Sequence, residues 1–157
     1  MTVILGLNSV HPDSSACLVV DGDLVAAVAE ERLGPRNKHT MSFPVQSIAW
    51  VLDYAGLTLR DVTHIAVARD PKANLLSKAV YSAKNFLNGP LMVSGFLSRH
   101  RLMNSTLSNL ASSLGESQSE CNFEVVNIEH HLAHLASSYF VSDFDTAVGF
   151  SYDGSGD

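Results

Sequence analysis

With 157 residues, 46% of them hydrophobic and 17% charged, the chain has material for one folded domain with a real core and is too apolar for a disordered segment. The formal net charge is −6, and the ten lysines and arginines are spread thinly from Arg32 to Arg101, which counts against a nucleic-acid surface, since phosphate binding needs concentrated basic charge. No apolar run approaches the roughly 20 residues that span a bilayer. The opening MTVILGLNSVHPD has no cationic region and meets Asp13 too early for a signal peptide. The two cysteines, Cys17 and Cys121, are far apart and read as free thiols in a reducing compartment, so a cytoplasmic location is expected.

In chain order, VILGL (3–7) is a short β-branched apolar run, followed by SACLVV (15–20) and LVAAVAEE (24–31), joined through DGD. Asp21-Gly22 between two apolar runs is a strong hairpin signal, so a strand and then a tight antiparallel hairpin are expected. A helix is expected from SFP (42–44), with Pro44 in its first turn, Gly56 at its end, and Val45, Ile48, Ala49, Leu52 and Ala55 forming its packing face. HIAVA (64–68) reads as a buried strand. From about 71 to 120 the texture turns to Ser, Asn and scattered large apolar residues, which reads as an inserted helical excursion. FEVVNI (123–128) returns to strand, residues 130–140 to helix and TAVGFSYD (146–153) to strand. The hairpin-first order predicts an α/β fold with a mixed sheet and flanking helices, unlike a Rossmann unit, which alternates from its beginning.

Four stretches carry chemistry. On a helix, His130 and His134 lie one turn apart on one face, while Leu132, Leu135, Ala136 and Tyr139 form another. Two such imidazoles can ligate one metal, with Asp153 at the end of the next segment as the third ligand; two metal-free surface histidines are the alternative. SYDGSGD (151–157) offers Gly154, Ser155 and Gly156, whose N–H groups can face an anion, with Asp153 and Asp157 beside them; an ordinary turn would have the same composition. GLNSVHPDSSA (6–16) could cradle a phosphate or present His11 as a general base, or be a loop of turn formers. EERLGPRNKH (30–39) gathers Arg32, Arg36, Lys38 and His39, which could grip a phosphate or carboxylate, or form a solvated loop.

Taken in order, these stretches resemble the NodU/CmcH-type carbamoyltransferases. The resemblance rests on Gly6-Leu7-Asn8 and HPDSSA, on Glu30-Glu31-Arg32 followed by Arg36-Asn37-Lys38-His39 and Phe43-Pro44, and on the HHxxHxxS and SxDGxGD patterns at 130–137 and 151–157. Pro12, between His11 and Asp13, departs from the pattern, and residues 71–120 carry no motif. The resemblance implies an N-terminal lobe of the actin-like ATPase (ribonuclease H-like) type, of which residues 1–157 would be the first part, followed in the family by a YrdC-like lobe. It further implies that carbamoyl-adenylate, made from carbamoyl phosphate and ATP, donates its carbamoyl group to the hydroxyl of a small molecule. Family ligands of a divalent metal, usually iron, map onto His130, His134 and Asp153, the three residues that spacing singles out, with a fourth expected beyond residue 157. His11 or Asp13 would take the hydroxyl proton, and Arg36, Lys38, Gly154, Ser155 and Gly156 would hold nucleotide or phosphate. Such a segment is expected to be inactive in isolation. Three rival readings are a relative of the tRNA threonylcarbamoyl transferases, whose opening lacks the EER and RxKH block, a non-catalytic nucleotide-binding module of the actin-like superfamily, and a metal-free structural α/β domain with chance histidines. No membrane or nucleic-acid partner is expected.

Overall fold

The computed structural model describes residues 1–9, 13–34, 39, 42–70, 80, 84 and 110–153. Its centre is a five-stranded mixed sheet of β1 (Val3–Asn8), β2 (Ser15–Val20), β3 (Asp23–Ala29), β4 (His64–Val67) and β5 (Glu124–Asn127), in the order β3-β2-β1-β4-β5. β1 pairs antiparallel with β2 on one side and parallel with β4 on the other, and β4 pairs parallel with β5. Because β2 and β3 are also antiparallel, β1, β3, β4 and β5 all run in the same sense, so the chain leaves all four at one edge of the sheet.

The expected hairpin is present. Asp21 and Gly22 both have positive φ, 50° and 101°, the type I′ geometry whose twist matches that of the flanking strands. Asp21 also binds back to the start of β1, its Oδ1 accepting from Thr2 N at 2.6 Å. A register shift opposite Leu18 and Val19 leaves one extra residue in β3, a bulge of the kind that increases twist near a sheet edge.

Side chains alternate along β1. Val3, Leu5 and Leu7 are buried on one face and pack with Leu18, Ile65 and Val67 of the neighbouring strands. That face is covered by helix α1 (Val45–Tyr54), the turn at Leu59–Asp61 and a short helix α2 (Leu110–Ser113). On the opposite face Gly6 is required by a close approach: a Cβ there would lie 2.6 Å from Cys17 Sγ. Both cysteines are free, and burial pushes the Cys17 thiol up from its ordinary range, so it behaves as a small apolar side chain.

The packing face of α1 differs from the expected one by about a residue. Ser47, Ile48, Val51 and Leu52 are buried, while Ala49 is exposed. The reason lies at the helix start. Pro44 is the residue before the helix and offers no side-chain cap; instead the Glu30 carboxylate, at the end of β3, accepts from Gln46 N (3.1 Å), Ser47 N (2.8 Å) and Ser47 Oγ (2.7 Å). Drawing Ser47 inward to that carboxylate sets the rotation of α1. The far end closes as expected: Gly56 has φ 65°, its N–H reaches Asp53 O and that of Leu57 reaches Leu52 O, the paired bonds of a Schellman stop.

The helical excursion expected over 71–120 falls largely outside the described residues. What is described includes Val80 and Lys84, both helical, then α2, whose Leu110 and Ala111 are fully buried, and a 3-10 turn at Gln118–Glu120. Among the described residues no helix is long and apolar enough to cross a membrane.

Glu30 is 7% exposed, and a buried carboxylate is tolerable only while its oxygens are occupied by donors. Glu30→Ala is expected to lower unfolding free energy by about 2 kcal/mol by orphaning two helix N–H groups and the Ser47 hydroxyl, read as a reduced midpoint in urea denaturation.

Candidate metal and phosphate site

Helix α3 (His130–Tyr139) begins three residues after β5 ends, which places its first turn at the edge where β1, β3 and β4 also finish. Glu129 caps it, accepting from His131 N at 3.1 Å and Leu132 N at 2.7 Å. Those two bonds, Leu132 first, hold the Glu129 carboxyl below the ordinary glutamate range.

At this helix start three donor atoms meet. His130 Nε2 lies 2.5 Å from Asp153 Oδ2 and 3.2 Å from His134 Nε2, which is itself 3.5 Å from the same carboxylate oxygen. One ligand atom from each residue falls within 4.8 Å of the others. Two imidazole nitrogens and a carboxylate oxygen converging in this way form a donor set suited to zinc or iron. The spacing of the histidines predicts their juxtaposition; the arrival of Asp153 has a different origin from the expected strand.

Residues 146–153 are not a strand: they pair with none of the described strands, and Val148, Phe150 and Tyr152 are almost wholly exposed. They run back along α3 instead, held by its side chains. Tyr139 Oη donates to Asp145 O at 2.8 Å, Gly149 sits so close to Leu135 that a Cβ would lie 2.8 Å from its Cδ2, and His131 Nδ1 is 2.9 Å from Ser151 Oγ. The sequence alternation is real, since Gly149, Ser151 and Asp153 meet the helix while 148, 150 and 152 face away, but it records contact with a helix rather than pairing in a sheet. His131 thus pins the segment whose Asp153 its two neighbours on the helix receive.

A cavity of about 260 Å³ opens beside the cluster, lined by Asn8 and Ser9 after β1, Val67, Ala68 and Arg69 at the end of β4, and His130, His134 and Ser137 of α3. Ligands of open α/β sheets gather at such carboxyl edges where the chain changes direction. Ser9 is buried, and its hydroxyl has no partner among the described residues. Asn8 and Ser9 belong to the GLNSVHPDSSA stretch read as a candidate phosphate cradle, whereas Arg69 escapes motif reasoning, its signal being only its position after a strand.

Of the other predicted site residues, Asp13 is described and lies near the cavity, because Asn8 Nδ2 donates to Asp13 O at 3.1 Å. Its side chain meets His39, from the EERLGPRNKH stretch, with Oδ1 2.9 Å from Nδ1. Both residues have left-handed backbones, φ 65° and 57°, a region in which Asp and His are found more often than most residues. Glu31 Oε2 accepts from His39 N at 3.2 Å, and Arg32 pairs with Glu31 at 3.5 Å. Two of the four charged stretches are therefore joined by contact. His11, Arg36, Lys38, Gly154, Ser155 and Gly156 lie outside the described residues.

A family model described as the carbamoyltransferase N-terminus matches residues 3–157. The chain belongs to this family. Among its relatives, an uncharacterized protein of Synechocystis sp., sll1178, is 34% identical over 161 residues, covering 100% of this chain and 26% of its own length. The nodulation protein NolNO of Sinorhizobium fredii is 32% identical over 151 residues, covering 96% of this chain and 20% of its own. The chain thus spans about a quarter or less of these relatives. Among solved structures, an uncharacterized Pseudomonas aeruginosa protein with similarity to the peptidase YeaZ is 20% identical, with a TM-score of 0.46, over 91% of this chain and 50% of that one. YeaZ from the same organism is 19% identical with a TM-score of 0.43, over 87% and 47%.

The depressed Glu129 carboxyl fixes a sign. Its contribution to the α3 start is complete above the ordinary glutamate range and is lost as pH falls through the lowered value, when protonation removes the acceptor. Protection of the His131 and Leu132 amides, measured against their intrinsic exchange rates, is expected to fall through that acidic window, and Glu129→Ala to show the lowered protection already at neutral pH.

Proposed function

We propose that the protein is an O-carbamoyltransferase that moves a carbamoyl group from carbamoyl-adenylate, made from carbamoyl phosphate and ATP, to the hydroxyl of a small molecule. In this reading residues 1–157 are the first part of an actin-like lobe that houses the transfer site, and adenylate formation belongs to a YrdC-like lobe. Family membership supports carbamoyl transfer as the class of reaction. The observation that carries the site assignment is the convergence of His130, His134 and Asp153 on one point at the sheet edge, beside a cavity with an unsatisfied hydroxyl.

Those three residues would hold a divalent metal, iron as the family resemblance implies. When bound, it would supply positive charge to neutralise phosphate oxygens of the adenylate. The chain's own residues do the rest. Glu129 fixes the pitch of the helix start, and the His131–Ser151 bond keeps Asp153 facing the two imidazoles. Ser9 lines the cavity, and Arg69 adds a cation to its wall. Arg36, Lys38 and the N–H groups of 154–156 are assigned to the nucleotide and its phosphate from the sequence pattern.

In the full-length protein, His130→Ala and His134→Ala are each expected to abolish stoichiometric metal, measured by elemental analysis, and to lower carbamoyl transfer at least a hundredfold. Metal content and transfer both unchanged would overturn the ligand assignment. Ser151→Ala, which frees the segment carrying Asp153 without touching a ligand, is expected to weaken metal binding about tenfold in a competition titration with a chelator.

A further inference from the structure

The contact between Asp13 and His39 lies outside the metal cluster and has no structural role comparable with that of Glu30. It is open to solvent, with 56% of the Asp13 side chain and 75% of the His39 side chain exposed. A surface ion pair of this kind adds little stability, and both residues that make it have left-handed backbones. Positive φ is a conformation that Asp and His adopt more readily than most residues, and here it accompanies a direct contact between their side chains.

That geometry is specific. A carboxylate oxygen at Nδ1 selects the imidazole tautomer with its proton on Nδ1 and leaves Nε2 with the lone pair. The His39 backbone N–H is tied to Glu31, so the main chain that carries the ring is held as well. Asn8, whose amide binds the Asp13 backbone carbonyl, itself lines the cavity together with His130 and His134, so the pair stands at the same edge of the sheet as the cluster.

We propose that His39 is the general base of the transfer step and that Asp13 is the positioning residue that orients it. The inference rests on the carbamoyl-transfer reading above. As the acceptor oxygen bonds to the carbamoyl carbon, its proton passes to His39 Nε2. The bond from that carbon to the AMP phosphate oxygen breaks, and its electron pair leaves on the phosphate as AMP. The imidazolium, stabilised by the Asp13 carboxylate, then returns the proton to solvent.

The test uses the full-length protein and two half-reactions: carbamoyl phosphate-dependent exchange of pyrophosphate into ATP, which reports adenylate formation, and release of AMP with water or molar glycerol as the hydroxyl probe. His39→Gln is expected to leave exchange within about twofold and to slow AMP release about a hundredfold or more, a typical contribution of a general base. Asp13→Asn is expected to slow release by a smaller factor with the KM for glycerol unchanged. In His39→Gly, added imidazole is expected to restore AMP release, which a structural role would not permit. Exchange and release both at wild-type rates in His39→Gln would overturn the proposal, as would their parallel loss without imidazole rescue. Absence of carbamoyl phosphate-dependent exchange in the unaltered protein would instead overturn the reaction class itself, an outcome separable from the failure of His39.

Discussion

The site depends on the way β1 is paired. It has an antiparallel neighbour on one side and a parallel neighbour on the other, and this combination sends β1, β3, β4 and β5 to a common edge. Were β4 antiparallel, its Arg69 end would lie at the opposite edge from Asn8 and Ser9, and the cavity would not exist. Parallel pairing demands a long crossover, which is what α1 supplies between β3 and β4.

Around that edge the chain uses carboxylates in two distinct ways. Glu30 is consumed by the fold: buried, triply hydrogen-bonded and fixed to the start of α1. Asp13 and Asp153 are spent on histidines instead, each with an oxygen against a ring nitrogen and each partly open to solvent. Adjacent acidic residues can therefore differ in kind. Glu30 serves packing, while Glu31, its neighbour, turns toward His39. Burial decides between them, because a buried carboxylate requires all its acceptors filled from within the protein whereas an exposed one retains capacity for a substrate or proton.

The route by which Asp153 reaches the histidines explains how one helix can both build a site and supply its third member. α3 presents His130 and His134 at a spacing of one turn, and its intervening positions hold the returning segment through His131, Leu135 and Tyr139. The returning chain needs no sheet partner to be placed, only a helix with the right side chains at successive turns. The exposed Val148, Phe150 and Tyr152 face away from that helix, which is why an alternating pattern resembles a strand when read without its neighbours.

The sequence by itself determined what is local. The Asp21-Gly22 turn, the Gly56 stop, the strands at 3–8, 15–20 and 64–67 and the one-turn spacing of His130 and His134 all follow from φ preferences and side-chain period, which act over a few residues. The motif order also pointed to the right family, because it reads residue identity without needing their distances. Only the tertiary structure decided which residues share a point in space. Glu30 rotating α1, Asp13 meeting His39 across 26 positions, Ser9 left buried beside the histidines and Asp153 delivered by a helix rather than a strand are all non-local. Each depends on contacts between segments far apart in the chain, and no short window of sequence encodes those.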